Sequence, residues 1–212
     1  MKVLLSTACW PNLHYFYHLL HADQVLIEQH ENYQKQSFRN RYQILSANGV
    51  LDLSIPVENR AIKMPIDEVY IDYKENWQIR HWRALTSAYK NSPYFDFFES
   101  DIQPFFSVKH ERLFDYNIDQ LKLILKLLQL KKDLSFTAAY ENETSELIDF
   151  RGTIHPKKEI PENDPALRIL TNPYYQTFGD KFGFVPNLSI LDLIFNAGLN
   201  TKSYLKIESS FN

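Results

Sequence analysis

The first 28 residues alternate between apolar patterns typical of strands and of a helix, and this alternation limits the chain to few folds. Residues 2–8 and 24–28 are short runs rich in branched apolar side chains, which predict two buried strands. Between them, apolar residues recur at helical spacing over 13–22, and Asn12 is a suitable N-cap. A strand, a helix and a strand in about thirty residues form the minimal parallel βαβ unit. The N-terminus therefore predicts a parallel sheet.

The next segment has the pattern of a hairpin. Apolar runs at 42–46 and 50–57 flank Ala47-Asn48-Gly49, and Asn-Gly between two such runs is the strongest short-range hairpin signal. Residues 66–72 alternate between apolar and polar side chains and predict a further strand. We therefore expect an α/β fold: a mixed sheet with an N-terminal βαβ unit, an inserted β-hairpin and a helical C-terminal half.

The rest of the chain is dominated by helical periodicity. Helices are predicted over 77–90, 113–130 and 187–198, and one more strand over 134–138. Residues 141–163 combine acidic residues and prolines with little periodicity, which predicts a long loop or mobile lid. The length suits a single domain spanning residues 1–212.

Composition and charge exclude several kinds of partner. The formal net charge is −3, so the basic excess of a nucleic-acid-binding protein is absent. The initial apolar run is shorter than a secretory signal requires, and we find no run of about 20 apolar residues that predicts a membrane span. Cys9 is the single cysteine, which favours a reducing compartment. We expect a cytoplasmic protein.

Three cations lie within seven residues of this acidic chain: Lys35, Arg39 and Arg41. Arginine offers a planar fork for phosphate or carboxylate, lysine supplies a point charge, and Asn40 adds a hydrogen-bond donor. The functional interpretation is an anion clamp for a nucleotide-sugar diphosphate or a carboxylated ligand. The alternative is a solvated turn whose cations pair with the glutamates of 28–31.

Two residues are candidates for proton transfer. Glu28 lies at the carboxyl end of the second predicted strand and can act as a general base or a hydroxyl-binding carboxylate, or it can form a salt bridge with Lys35 or Arg41. His14 lies at the predicted start of the first helix, where the carboxyl ends of strands in α/β folds bind anions. We predict both as catalytic residues.

Histidines recur on the same predicted helix. His14, His18 and His21 are spaced i, i+4 and i+7, so together with Glu28 or His30 they can bind a divalent metal. Such spacing also arises by chance in aromatic amphipathic helices. The favoured interpretation is partly buried, hydrogen-bonded histidines, and no metal ligand is assigned.

Trp77 and His81 lie one helical turn apart and can form a stacking wall for a sugar ring. We include both among the candidate ligand-binding residues, although burial of the tryptophan in the core is the favoured interpretation. Cys9 is expected to be a buried, inert thiol.

The chain contains five glycines and none of the fingerprints of a P-loop, a dinucleotide-binding turn or a serine-hydrolase elbow. These absences disfavour a classical NTPase, a Rossmann dehydrogenase and a serine hydrolase, and the sequence identifies no cofactor.

An ordered set of short motifs resembles the WbqC-like protein family. It comprises Trp10-Pro11, Tyr15-Phe16, Ala22-Asp23-Gln24-Val25, the segment Lys35–Arg41, Leu53–Val57, Ser92–Phe95, Tyr174–Gln176 and Ser189–Asn196. Two segments depart from the family pattern. Thr7–Pro11 replaces a Gln-Pro-aromatic opening, and Glu28–Glu31 replaces aspartates.

The resemblance implies a bacterial protein associated with O-antigen and other surface-polysaccharide biosynthesis. The hypothesis that follows is an acyl- or aminoacyl-type transferase acting on a nucleotide-activated amino sugar. Lys35, Asn40 and Arg41 would then hold the anion, and Glu28 or His14 would accept a proton. The alternative is a non-catalytic ligand-binding or assembly protein of the polysaccharide machinery.

Overall fold

A computed structural model describes residues 1–58, 63–142 and 146–206, and it contains a parallel sheet and a hairpin. The strands are β1 (Lys2–Ser6), β2 (Gln24–Glu28), β3 (Arg41–Ser46), β4 (Gly49–Ser54), β5 (Leu134–Phe136) and β6 (Ile148–Asp149). The parallel sheet has the strand order β5-β2-β1-β6, and β3 pairs with β4 in antiparallel orientation. The predicted mixed α/β fold is confirmed.

The N-terminal βαβ unit has the predicted form. Strand β1 pairs with β2 in parallel from Lys2↔Gln24 to Ser6↔Glu28, and the interior of β1 is fully buried, as expected for a central parallel strand. Helix α1 (Leu13–His21) connects the two strands. The side chain of Asn12 accepts a hydrogen bond from the backbone amide of Tyr15 at 3.0 Å, which confirms the predicted N-cap.

The helices follow the predicted periodicity, with additions. They are α2 (Trp77–Tyr89), α3 (Phe95–Ile102), α4 (Leu113–Leu127), α5 (Leu167–Leu170), α6 (Gly179–Phe182), α7 (Ile190–Ala197) and α8 (Thr201–Leu205). Helix α4 ends before the predicted residue 130, since Gln129 adopts a left-handed backbone conformation with φ +51°. No helix in the described part of the chain is long and apolar enough to cross a membrane.

The strand predicted over 66–72 is wrong. Ile66–Glu68 forms a 3₁₀ turn after Pro65, and only isolated bridges occur further on, at Tyr70 and Ile71. Ile66 and Val69 are both fully buried, three residues apart. This spacing fits the three-residue period of a 3₁₀ turn, so burial here follows the turn rather than a pleated strand.

The segment 141–163, predicted as a long loop or lid, contains the short strand β6. Phe150 and Ile154 are buried directly after this strand, which anchors the segment against the sheet. Residues 143–145 of the predicted loop lie outside the described residues. Its mobility stays a prediction.

Candidate functional site

The carboxyl ends of the four parallel strands meet at one edge of the sheet, called here the carboxyl edge. Ser6 ends β1, Glu28 ends β2, Thr137 follows β5, and Asp149 ends β6. In open α/β sheets, ligands bind outside this edge. The polar side chains of this region therefore define the candidate functional site.

Glu28 is buried at the carboxyl edge with both carboxylate oxygens bonded. Its Oε1 accepts hydrogen bonds from the amide of His30 at 2.9 Å and the hydroxyl of Thr137 at 2.7 Å. Its Oε2 accepts from the amide of Glu141 at 3.0 Å and from Nη1 of Arg151 at 2.9 Å. Burial alone would raise the pKa of Glu28, but these donors together lower it. The group is ionised at neutral pH.

Arg151 is held by two carboxylates and an aromatic ring. Its Nη2 donates to Asp149 Oδ2 at 2.7 Å, its Nη1 donates to Glu28, and the guanidinium lies 4.8 Å from the ring centroid of Tyr140. Burial by itself raises the pKa of Asp149, but the hydrogen bonds from Arg151 lower it below its usual range. Arg151 is therefore a fixed cation at the carboxyl edge.

A second buried guanidinium lies beside the end of β1. Arg39 donates from Nε to Glu31 Oε1 at 2.8 Å, and its Nη2 bonds both Glu31 Oε2 and the Ser6 hydroxyl, the latter at 2.8 Å. The carbonyl of Arg39 accepts from the side-chain amide of Asn117 at 2.8 Å. This arrangement fixes the segment that carries the other predicted cations.

Two loops bring more positive charge to the rim of the site. Lys157 Nζ donates to Gln36 Oε1, so the loop after β6 lies against the loop before β3. Burial lowers the pKa of His155, and the charges of Arg39, Lys158 and Lys157 lower it further. Four neighbouring side chains form what we call the basic rim: His155, Lys157, Lys158 and, beneath them, Arg39.

A narrow apolar crevice opens between the rim and the sheet, wide enough for about one water molecule. Its walls are Leu5, Ser6, Thr7, Ala8, Tyr15, Phe38, Arg39, Phe150 and Ile154. The crevice is therefore too narrow for a ligand larger than water.

The residues of the predicted anion clamp have different surroundings in the structure. Lys35 is exposed. Asn40 donates from Nδ2 to the carbonyl of Ile55 at 2.8 Å, and Arg41 Nη1 lies 3.8 Å from Asp52 Oδ2 across the hairpin. The clamp stays a prediction, and Asn40 and Arg41 each have a structural partner.

Glu28 does form a salt bridge, as the alternative interpretation predicts, but its partner is Arg151 rather than Lys35 or Arg41. Likewise, the cation that pairs with the glutamates of 28–31 is Arg39. The catalytic role proposed for Glu28 stays a prediction.

His14 lies in a second, separate cluster. His14 Nε2 is 2.9 Å from Asp164 Oδ2, and His18 Nε2 is 3.0 Å from Asp164 Oδ1. All three side chains are buried. His21 points elsewhere, with Nδ1 2.9 Å from the carbonyl of Tyr17. The catalytic role predicted for His14 stays a prediction, and its ring nitrogen faces Asp164.

Trp77 and His81 are buried and in mutual contact, with ring centroids 5.1 Å apart. The hydroxyl of Tyr42 lies 3.2 Å from His81 Nδ1. Burial lowers the pKa of His81 to about 4, so its ring is neutral at pH 7. This burial agrees with the favoured interpretation that they belong to the core. A stacking role would require both rings to become accessible.

Sequence reasoning missed several residues of these clusters: Thr137, Asp149, Arg151, His155 and Asp164. Three of them have partners more than one hundred residues away in the chain, in the pairs Thr137–Glu28, Arg151–Glu28 and Asp164–His14. The one available signal was that Thr137 lies near the carboxyl end of a predicted strand, as Glu28 does.

The fold and the site define an α/β protein whose parallel sheet gathers paired charges at its carboxyl edge under a basic rim. The model of the WbqC-like protein family matches residues 8–155, and the chain belongs to this family. It is 26% identical over 212 aligned positions to the uncharacterized protein Rv1507c of Mycobacterium tuberculosis, covering 91% of each chain. No solved structure matches it.

Proposed function

We propose that this protein is an enzyme of bacterial surface-polysaccharide biosynthesis that transfers an acyl or aminoacyl group to a nucleotide-activated amino sugar. The amine nitrogen forms the new amide bond, the bond between the acyl carbon and its carrier breaks, and the departing carrier takes the proton. The family resemblance suggests the biosynthetic context, and the positive charge at the site suggests an anionic substrate.

The observation that carries the proposal is the basic rim above the carboxyl edge. A nucleotide sugar presents a diphosphate, and exposed point charges for it are supplied by Lys157 and Lys158 of the rim and by Lys35, next to Gln36 on the adjoining loop. Arg151 and Arg39 beneath them are already paired, so they orient the two loops instead of binding freely. The site thus combines a rigid floor with a cationic entrance, which suits positioning of an anionic substrate.

Within this proposal, Glu28 fixes Arg151 rather than accepting a proton directly, because both of its oxygens are already bonded. His155 supplies a hydrogen-bond donor. Its Nδ1 accepts from the amide of Lys157 at 3.2 Å, so the neutral ring carries its proton on Nε2. A neutral imidazole N–H can polarise the acyl carbonyl as negative charge develops on its oxygen.

The test combines binding and turnover. Nucleotide-linked amino sugars are screened by thermal shift, and acyl donors are then added with product detection by mass spectrometry. Lys35→Ala, Lys158→Ala and Arg41→Ala each probe one cation, and exposed Lys122 on α4 provides the control Lys122→Ala. We expect Lys35→Ala and Lys158→Ala to weaken binding by about tenfold, about 1.4 kcal/mol each. Unchanged binding in both would refute the role of the rim.

The second candidate is a non-catalytic ligand-binding or assembly protein of the same machinery. It is favoured by an exposed apolar groove between α3 and the turn before α8, where Phe97 is 66% exposed and Leu199 is 52% exposed. Saturable binding of a nucleotide sugar without turnover, over a panel of acyl donors, would support this candidate. Product formation would eliminate it.

A further inference from the structure

The cluster of His14, His18 and Asp164 lies outside the candidate site described above. The two histidines lie one turn apart on α1, and the aspartate comes from the segment before α5. One nitrogen of each ring and a carboxylate oxygen all lie within 4.8 Å of one another. Three side chains from two distant parts of the sequence therefore converge on one point.

We propose that His14, His18 and Asp164 bind a divalent transition-metal ion of the Zn²⁺ type through both Nε2 atoms and the carboxylate. Two imidazoles and one carboxylate are a ligand set of zinc and non-haem iron sites, whereas Mg²⁺ and Ca²⁺ prefer oxygen ligands alone. The site is independent of the proposed transferase function.

The separations between ligand atoms fit a single ion. His14 Nε2 lies 2.9 Å from Asp164 Oδ2, and His18 Nε2 lies 3.0 Å from Asp164 Oδ1. Ligand atoms at about 2.0–2.1 Å from a tetrahedral Zn²⁺ lie about 3.3 Å from one another, slightly farther apart than these pairs. Only small side-chain shifts are needed to place an ion among them.

Burial and charge also fit. The side chains of His14, His18 and Asp164 are 2%, 3% and 5% exposed. The Asp164 carboxylate is enclosed by the amide of Ala166 and the two imidazoles. A cation would balance this buried negative charge.

The surroundings orient the ligands. The amide of Ala166 donates to Asp164 Oδ1 at 2.9 Å, as outer hydrogen bonds do for metal-binding carboxylates. The ring of His18 stacks on Phe150 with centroids 3.8 Å apart, and Phe150 lines the crevice at the carboxyl edge. The ion would thus join α1 to the segment before α5 and lie one aromatic ring away from the crevice.

The rival arrangement is a hydrogen-bonded group in which both neutral rings donate an Nε2 proton to Asp164. The two arrangements differ in an observable way. In the rival, both Nε2 atoms carry protons, whereas a bound metal occupies Nε2 and leaves the ring protons on Nδ1.

The experiment uses untagged protein treated with a chelator and titrated with Zn²⁺ or Co²⁺ alone. We expect one equivalent to bind, with a rise in the melting temperature and the visible absorption of Co²⁺ in a low-coordinate site. His14→Gln and Asp164→Asn should each weaken Zn²⁺ binding about 100-fold. The control His21→Gln alters a histidine of the same helix that faces the carbonyl of Tyr17, and it should bind as the parent protein does.

Nuclear magnetic resonance of the parent protein keeps the proposal testable if a variant does not fold. Long-range ¹H–¹⁵N spectra of the imidazoles should show the ring protons of His14 and His18 on Nδ1 once one equivalent of Zn²⁺ is present. Absence of binding, binding that the folded variants retain, or Nε2 protons that persist with Zn²⁺ would overturn the proposal and leave the hydrogen-bonded group.

Discussion

Arg39 shows how this chain buries a positive charge. Its side chain is buried with that of Glu31, and the Ser6 hydroxyl accepts a further hydrogen bond from it. Two charges removed from water are tolerated only when their geometry and additional hydrogen bonds compensate for lost hydration. Such a pair contributes little net stability as a unit, but the loss of one member leaves an uncompensated buried charge.

We therefore predict that Arg39→Leu destabilises the protein by about 3–5 kcal/mol, because Glu31 remains buried without its partner. Urea unfolding followed by circular dichroism measures the change. Arg39→Leu combined with Glu31→Leu should recover much of the loss. The control Arg80→Leu breaks an exposed ion pair with Glu75 and should have little effect. Equal stability of Arg39→Leu and the parent would contradict the prediction.

Asp192 is a buried acceptor at the start of α7. It accepts hydrogen bonds from the hydroxyls of Tyr89 at 2.7 Å and Tyr174 at 2.5 Å, and from Gln176 Nε2 at 3.0 Å. Burial raises the pKa of Asp192, although these donors oppose the shift. The group holds the segment before α6 against α7.

Tyr174→Phe removes one of these donors and should destabilise the protein by about 1.5–3 kcal/mol, the range for a hydrogen bond to a charged group. The neighbouring Tyr175, which is 63% exposed, supplies the control Tyr175→Phe. Both variants are compared by thermal unfolding. If they unfold together with the parent, the Asp192 contacts carry no net stability.

Among the helices and strands, those encoded by neighbouring residues were predicted correctly, and a strand that depends on distant pairing was not. The strand–helix–strand unit and the Asn-Gly hairpin are encoded by neighbouring residues and are confirmed. The wrong strand at 66–72 arose because apolar residues two and three apart resemble either period over a short stretch. Strand β6 has two residues, too few for any periodicity, and its existence depends on pairing with β1.

Helix α7 ends at a glycine whose backbone and surroundings both exclude a side chain. Gly198 has φ +60°, and a Cβ there would lie 2.6 Å from the ring of Tyr94. Gly183 also has a positive φ, of +71°, but a Cβ there would meet nothing within 4 Å. The two glycines separate the backbone effect from the steric effect.

We predict that Gly183→Ala costs about 1 kcal/mol, from the left-handed backbone alone. Gly198→Ala should cost at least twice as much, because the Tyr94 ring must also move. Chemical denaturation of both variants provides the comparison. Equal losses would show that the ring adapts without strain.

At the scale of the whole molecule, the candidate site joins parts of the chain that sequence patterns cannot relate. The ion pair between Glu28 and Arg151 spans 123 residues, and the contact between Lys157 and Gln36 spans 121. The sequence identified Glu28 from its place at the end of a strand, but its partner depends on the sheet order β5-β2-β1-β6. Charge pairs of this kind follow from topology, and topology follows from packing of the complete chain.

The pH dependence of stability is also a property of the whole molecule, and His81 provides its clearest test. Burial is the largest cause of its lowered pKa, about 4, with the charge of Arg80 acting in the same direction and a backbone contact to Ser54 opposing it. In the unfolded chain a histidine titrates near 6.5. Between these values the unfolded state binds the additional proton, so stability is fully present above about pH 6.5 and declines as the pH falls toward 4.

His81→Gln should therefore flatten the pH dependence. From pH 7 to pH 5, His81 accounts for a loss on the order of 2 kcal/mol in the parent protein, and the glutamine variant lacks this contribution. Glu28 and Asp149, whose folded pKa values are lowered, are ionised in both states over most of this window and lose their stabilising effect at lower pH. Urea unfolding of both proteins at pH 7, 6 and 5 measures the difference. Parallel curves would mean that His81 gains access to water and protonates without unfolding.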